Sequence, residues 1–184
     1  MKCMKRGWMN VNNAGHLLVI THCTTGKHPK QLIVYANNQH VLHQITLPDG
    51  MGDPISAVNS AENMFVVVGF VPKGKVWWID QHGRVLGQYG QQAGEELSCP
   101  CHIMQHSKGP LLITDKNNHR VVLLSNEATL LQHLTDVRYP LSLHLDEQAG
   151  LLSVGQWENE NSVHVKVFQF WIKPTRKLCL KVGM

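Results

Sequence analysis

The sequence predicts an all-β chain, a β-propeller-like array of about four four-stranded antiparallel blades with helix nearly absent. Three observations predict it. Four segments share one pattern: 12–20, 60–68, 106–114 and 147–155, aligned on Gly15, Asn63, Gly109 and Gly150. Their spacings of 48, 46 and 41 residues give a mean period near 45. Each period resolves into four short runs rich in Val, Ile, Leu and Trp, punctuated by Gly, Pro, Asn or Asp as strands demand. Four such runs cannot cover both faces of one sheet, so neighbouring sheets must stack.

The first runs are Trp8–Val11, Ile55–Val58, His102–Gln105 and Leu141–Leu145. Pro54, Pro100 and Pro140 each sit just before one, where a missing N–H costs least. The second runs follow the aligned turn, whose Gly or Asn tolerates the left-handed region. Gln31–Tyr35, Lys75–Ile79, Arg120–Leu124 and Val163–Phe170 are the third runs; Val41–Leu47, Arg84–Tyr89, Thr129–Leu134 and Lys177–Val182 are the fourth. The repeats therefore occupy 6–48, 54–90, 100–135 and 140–182, a single propeller domain over 1–184. No window carries a 3.6-residue apolar stripe of helical length.

The composition is that of a folded chain, 43% hydrophobic and 16% charged over 184 residues. Its longest apolar stretch is too short to cross a bilayer, and the basic start has no apolar region of the kind a signal peptide needs. Five scattered cysteines fit free thiols in a reducing compartment, so a cytoplasmic or nuclear location is expected. Charge is segregated. Residues 1–48 and 166–184 each carry five bases and no acid, and the thirteen acids all lie between them. A polyanion attracted to the basic ends would bind in a salt-dependent way.

Gly109-Pro-Leu-Leu-Ile-Thr-Asp115-Lys-Asn-Asn118-His119-Arg120-Val-Val-Leu-Leu closely resembles the NHL repeat. Pro140 to Gly155 continues into a following repeat in the same manner, and the first two repeats match weakly. Where the third repeat has Asp115, the others carry Thr21, Gly69 and Gln156. The resemblance implies a propeller of the kind found at the C-terminus of tripartite-motif proteins, in which RING and B-box zinc modules lie upstream. Such propellers often have six blades. Four repeats leave two readings, a small complete ring or a piece of a larger propeller, and the piece is the expectation. RING and B-box spacing is absent here, so ubiquitin-ligase activity would belong to a longer parent chain.

Several groups invite a chemical role. Cys99-Pro-Cys101-His102 has neither the spacing nor the second ligand pair of a structural zinc site, and half-buried free thiols are expected. His102 and His144 fall at different levels of their first strands with no carboxylate beside them, which leaves a lyase- or lactonase-like metal site a distant reading. Asp115, Asn118, His119 and Arg120 are expected to brace their own repeat, the carboxylate accepting backbone N–H groups and the guanidinium reaching a carboxylate. Trp77 and Trp78 alternate to opposite sheet faces as packing. Trp157, in Gln-Trp-Glu-Asn-Glu-Asn-Ser, reads as an exposed anchor in a polar loop.

The expected function is a non-catalytic binding platform with no cofactor, no metal and no small-molecule substrate. Its candidate loop face holds Lys27, His28, Lys30, Lys73, Lys75, Lys116, Arg138, Tyr139 and Trp157, with Glu95, Glu96, Glu158 and Glu160 among them. Because the charge is mixed, a protein partner ranks above RNA, and no membrane contact is expected.

Overall fold

All sixteen expected strands form, and they pair antiparallel in chain order as four four-stranded sheets. The structure, a computed structural model, describes residues 5–12, 14–23, 29–61, 64–69, 74–159, 162–172 and 178–182. Blade 1 is β1 (Lys5–Val11), β2 (Leu17–Cys23), β3 (Gln31–Tyr35) and β4 (Val41–Thr46). Blade 2 is β5 (Pro54–Ala61), β6 (Met64–Gly69), β7 (Lys75–Asp80) and β8 (Val85–Tyr89). Blade 3 is β9 (Pro100–Gln105), β10 (Leu111–Asp115), β11 (Arg120–Leu124) and β12 (Leu130–Leu134). Blade 4 is β13 (Pro140–Asp146), β14 (Leu151–Asn159), β15 (Ser162–Ile172) and β16 (Leu178–Val182). Among the described residues, helix is confined to two single 3-10 turns, Asp49–Met51 and Lys116–Asn118.

The aligned turns behave as their composition requires. Gly15, Gly109 and Gly150 take φ values of 78°, 114° and 66°, in the region closed to most side chains. Asn63 lies outside the described residues. At Gly69 the constraint is spatial instead: an added Cβ would stand 2.3 Å from the Met51 carbonyl oxygen.

Two kinds of bulge recur. Pro54, Pro100 and Pro140 open their strands, and just after each of them the ladder to the second strand slips. In blade 3 the buried Thr114 hydroxyl bridges the slip, accepting N–H bonds from Cys101 at 3.3 Å and His102 at 2.9 Å. A second slip opens the outermost strand of blades 1, 2 and 3 and leaves Leu42, Leu86 and Leu131 as extra, exposed residues.

The chain divides into two compact units, Met1–Leu97 and Ser98–Met184. In the first, Leu18, Ile20, Leu32 and Val34 of blade 1 pack on Phe65, Val67, Trp77 and Ile79 of blade 2. In the second, Leu112, Val121 and Leu123 of blade 3 pack on Leu152, Val154, Phe168 and Phe170 of blade 4. Alternation places the remaining apolar residues of blades 1 and 4 on their other faces. Part of them is exposed: in blade 1 Met9 is 74% exposed beside half-buried Val19 and Ile33, and in blade 4 Val163, Val165 and Val167 form an exposed row in which Val165 is 65% exposed.

One expectation is corrected. Trp157 does not stand in a polar loop. It lies in β14 and pairs with Val163 across the ladder, half-buried. The hairpin runs on through polar sequence, where the Glu158 carboxylate and His164 Nε2 meet across the two strands at 2.6 Å.

Candidate functional site

In the second unit a latch closes the entry to blade 3. Asp115, the last residue of β10, is completely buried. Its Oδ1 accepts the Ser98 N–H at 2.6 Å, and its Oδ2 accepts Asn118 Nδ2 and Arg120 Nε, both at 2.8 Å. Backbone bonds from Lys116 N–H to the Cys99 carbonyl (3.2 Å) and Asn117 N–H to the Ser98 carbonyl (2.9 Å) complete it. The motif residues Asp115, Asn118 and Arg120 thus brace their own repeat. His119 reaches further: it ends the 3-10 turn at a φ of 53°, and its Nδ1 accepts the Tyr139 N–H at 3.2 Å.

Blade 4 rebuilds the latch with a different side chain. Gln156 pairs with Pro140 as Asp115 pairs with Pro100, and its Oε1 accepts the Arg138 N–H at 2.5 Å. The Trp157 N–H bonds to the Tyr139 carbonyl at 3.1 Å, as Lys116 does to Cys99. Sequence reasoning missed this role of Gln156, although its alignment with Asp115 was the available signal. Both latches hold a non-glycine residue before a proline at positive φ, Cys99 at 62° and Tyr139 at 40°. Such strain persists only where the surroundings over-determine the backbone, as these paired bonds do.

The two latches bring side chains from blades 3 and 4 together. The His119 and Tyr139 rings meet edge to face with centroids 4.2 Å apart, and Tyr139 meets Trp157 at 6.1 Å. The Lys116 ammonium stands 4.5 Å from the Trp157 ring centroid, on the electron-rich face. Beside them lies an open groove of about 790 Å³ lined in part by Asp136, Arg138, Gln156 and Lys166. Lys166 is tied to Asp136, with Nζ 2.7 Å from its carboxylate and 3.0 Å from its carbonyl oxygen.

Four of the sequence-predicted binding residues, Lys116, Arg138, Tyr139 and Trp157, therefore belong to one surface. Lys30 and Lys75 belong to the first unit. Lys30 donates to the Gly52 carbonyl and pairs with Asp53 at 3.7 Å, and Lys75 stands 5.9 Å from the Trp77 ring centroid. Lys27, His28 and Lys73 lie outside the described residues.

Blades 3 and 4 are joined by polar contacts as well as by their core. The His102 Nδ1 accepts the Leu143 N–H at 3.2 Å, and burial holds its pKa below the ordinary imidazole value. Glu147 accepts the Ser107 N–H at 2.7 Å and the Ser107 hydroxyl, beside the buried His106 at 3.7 Å. Among the described residues, no three His, Cys, Asp or Glu side chains stand close enough to share a metal ion.

No protein-family model and no curated protein matches the sequence. Solved structures do match. Streptogramin B lyase superposes with a TM-score of 0.58 at 11% identity, over 96% of this chain and 68% of that one. The nidogen/laminin complex gives 0.56 at 16% identity, over 81% and 54%. A protein of unknown function from Bacteroides caccae gives 0.52 at 14% identity, over 88% and 60%. The likeness is one of fold. It identifies the four sheets as blades of β-propeller type. The chain spans 60% and 54% of the length of two of these structures and 68% of the third.

Proposed function

We propose that the chain is a non-catalytic binding platform of NHL type whose surface over blades 3 and 4 holds a protein partner. The observation that supports this is the contiguous row His119–Tyr139–Trp157 with Lys116 on the indole face. Tyr and Trp dominate binding energy where a rigid scaffold presents them, and here the blade 4 latch holds the backbone at both. The exposed Arg138 and the cation on Trp157 suit a partner carrying an acidic residue beside an apolar one. The nidogen/laminin complex gives a fold precedent for a protein partner. In a longer parent of tripartite-motif type, this surface would be the substrate-recognition part of a ubiquitin ligase.

The test is a comparison of partners crosslinked by the wild-type chain, Trp157→Ala and Lys116→Ala. A protein retained by the wild type and lost by both variants, with the β-sheet circular dichroism unchanged, supports the reading. Loss of about 2 kcal/mol or more at Trp157 is expected for an anchor of this kind. Equal capture by all three removes this surface from the function. RNA is the second reading, because Tyr139 and Trp157 beside a lysine and an arginine also suit base stacking. It requires binding that weakens steeply with salt and is lost in the Tyr139→Ala and Trp157→Ala chains.

A further inference from the structure

The Cys99-Pro100-Cys101 segment is not consumed by the binding surface, yet its geometry is closely specified. Cys99 is held at a φ of 62° immediately before Pro100, whose ring fixes the next turn of the chain. The Cys101 thiol folds back, with Sγ 3.4 Å from the Cys99 carbonyl oxygen and in hydrogen-bonding reach of the Cys99 thiol. Three bonds pin the segment: Ser98 N–H to Asp115, Lys116 N–H to the Cys99 carbonyl, and Cys101 N–H to the Thr114 hydroxyl. Both thiols are free, and both residues are half-buried. Bridging two sulfurs already held together closes a very short loop and needs little chain movement.

We propose that Cys99 and Cys101 form a dithiol modification site, oxidised to an intramolecular disulfide by a low-molecular-weight disulfide of the glutathione class. Cys99 attacks one sulfur of glutathione disulfide, forming a mixed disulfide and expelling a glutathione thiolate that takes up the Cys99 proton. Cys101 then attacks the Cys99 sulfur and expels the second glutathione, which leaves with the Cys101 proton. The protein loses two hydrogens and two electrons, and glutathione disulfide gains both. The same bonds form and break, and the balance is unchanged, if Cys101 attacks first and Cys99 resolves. Because the Cys99 carbonyl holds Lys116 N–H, the bridge also bears on the segment that sets Lys116 against Trp157.

The wild-type chain suffices for the test. Trypsin cleavage after Arg84 and Lys108 releases one peptide, 85–108, that contains Cys99 and Cys101 and no other cysteine. The folded chain is exposed to glutathione disulfide, alkylated, digested and weighed. Peptide 85–108 two hydrogens lighter, unalkylated, and restored by dithiothreitol is the expected result. A Cys101→Ser chain treated alike should instead retain glutathione on Cys99. Two alkylated cysteines, a glutathione adduct persisting in the wild type, or a crosslink from this peptide to Cys3, Cys23 or Cys179 would overturn the proposal.

Discussion

Asp115 and Gln156 carry out one task, one blade apart: each side-chain oxygen accepts the backbone N–H of the residue two positions before the proline that opens its own blade. The carboxylate does so buried, with two further donors from Asn118 and Arg120 on its second oxygen. The amide does so half-buried, and only the Arg138 contact at Oε1 is comparable.

The difference sets the expected cost of removal. Asp115→Ala removes the buried acceptor shared by the Ser98 N–H, Asn118 and Arg120 and should destabilise the chain by about 3–5 kcal/mol, the range for a broken buried ion pair. Gln156→Ala should cost about 1 kcal/mol, a single net hydrogen bond. Urea unfolding of both variants checks the ordering, and equal losses would contradict the shared-latch account.

Acid should loosen blade 4 from blade 3. His102 accepts the Leu143 N–H as a neutral ring, and burial lowers its pKa from the ordinary 6.5. The unfolded chain then binds the proton first as pH falls, so protonation favours unfolding. This stability is fully present above pH 6.5 and is lost progressively below it, down to the lower folded value. His106 and His133, also lowered chiefly by burial, add in the same direction. In His102→Gln, the slope of unfolding free energy between pH 6.5 and 5 should be shallower than in the wild type.

Two glycines separate two kinds of crowding. An alanine Cβ at Gly69 meets the Met51 backbone oxygen at 2.3 Å, and no rotamer relieves that. At Gly155 the obstacle is the Ser142 hydroxyl at 2.4 Å, a movable group. Gly69→Ala should cost about 1–3 kcal/mol as overpacking does. The smaller loss in Gly155→Ala should largely vanish in the Gly155→Ala/Ser142→Ala double variant, measured by thermal unfolding.

The open apolar row of β15 should make the chain self-associate. Sedimentation velocity should show concentration-dependent association that falls in the Val163→Lys/Val165→Lys variant. A monodisperse wild-type monomer at every concentration would contradict this.

The strands were legible because short β-branched and aliphatic runs between Gly, Pro and Asn breaks carry their period locally. Gln31–Tyr35 and Arg120–Leu124 have the very bounds expected from that pattern. Asp115 was legible because a carboxylate before Asn and Arg has few other uses. Gln156 was not, since an amide in the same place resembles any polar strand residue. Trp157 was misplaced because polar neighbours imitate a loop, and only the Glu158–His164 pair reveals the longer hairpin. The row it forms with Tyr139 and His119 depends on contacts across 38 residues, which no local pattern reports.

The extra leucines at positions 42, 86 and 131 also bear on how the chain avoids fibrous growth. Each sits where the outermost strand of its blade begins, beside a second exposed aliphatic residue: Val41, Val85 or Leu130. A flat edge with that composition would be a template for an incoming strand. The slipped ladder breaks the donor–acceptor rhythm at that point, and the remaining run of five residues or fewer offers a visiting strand too little register to hold. In blades 1, 2 and 3 the outer edge is thereby a poorer template than an unbroken strand of the same composition would be.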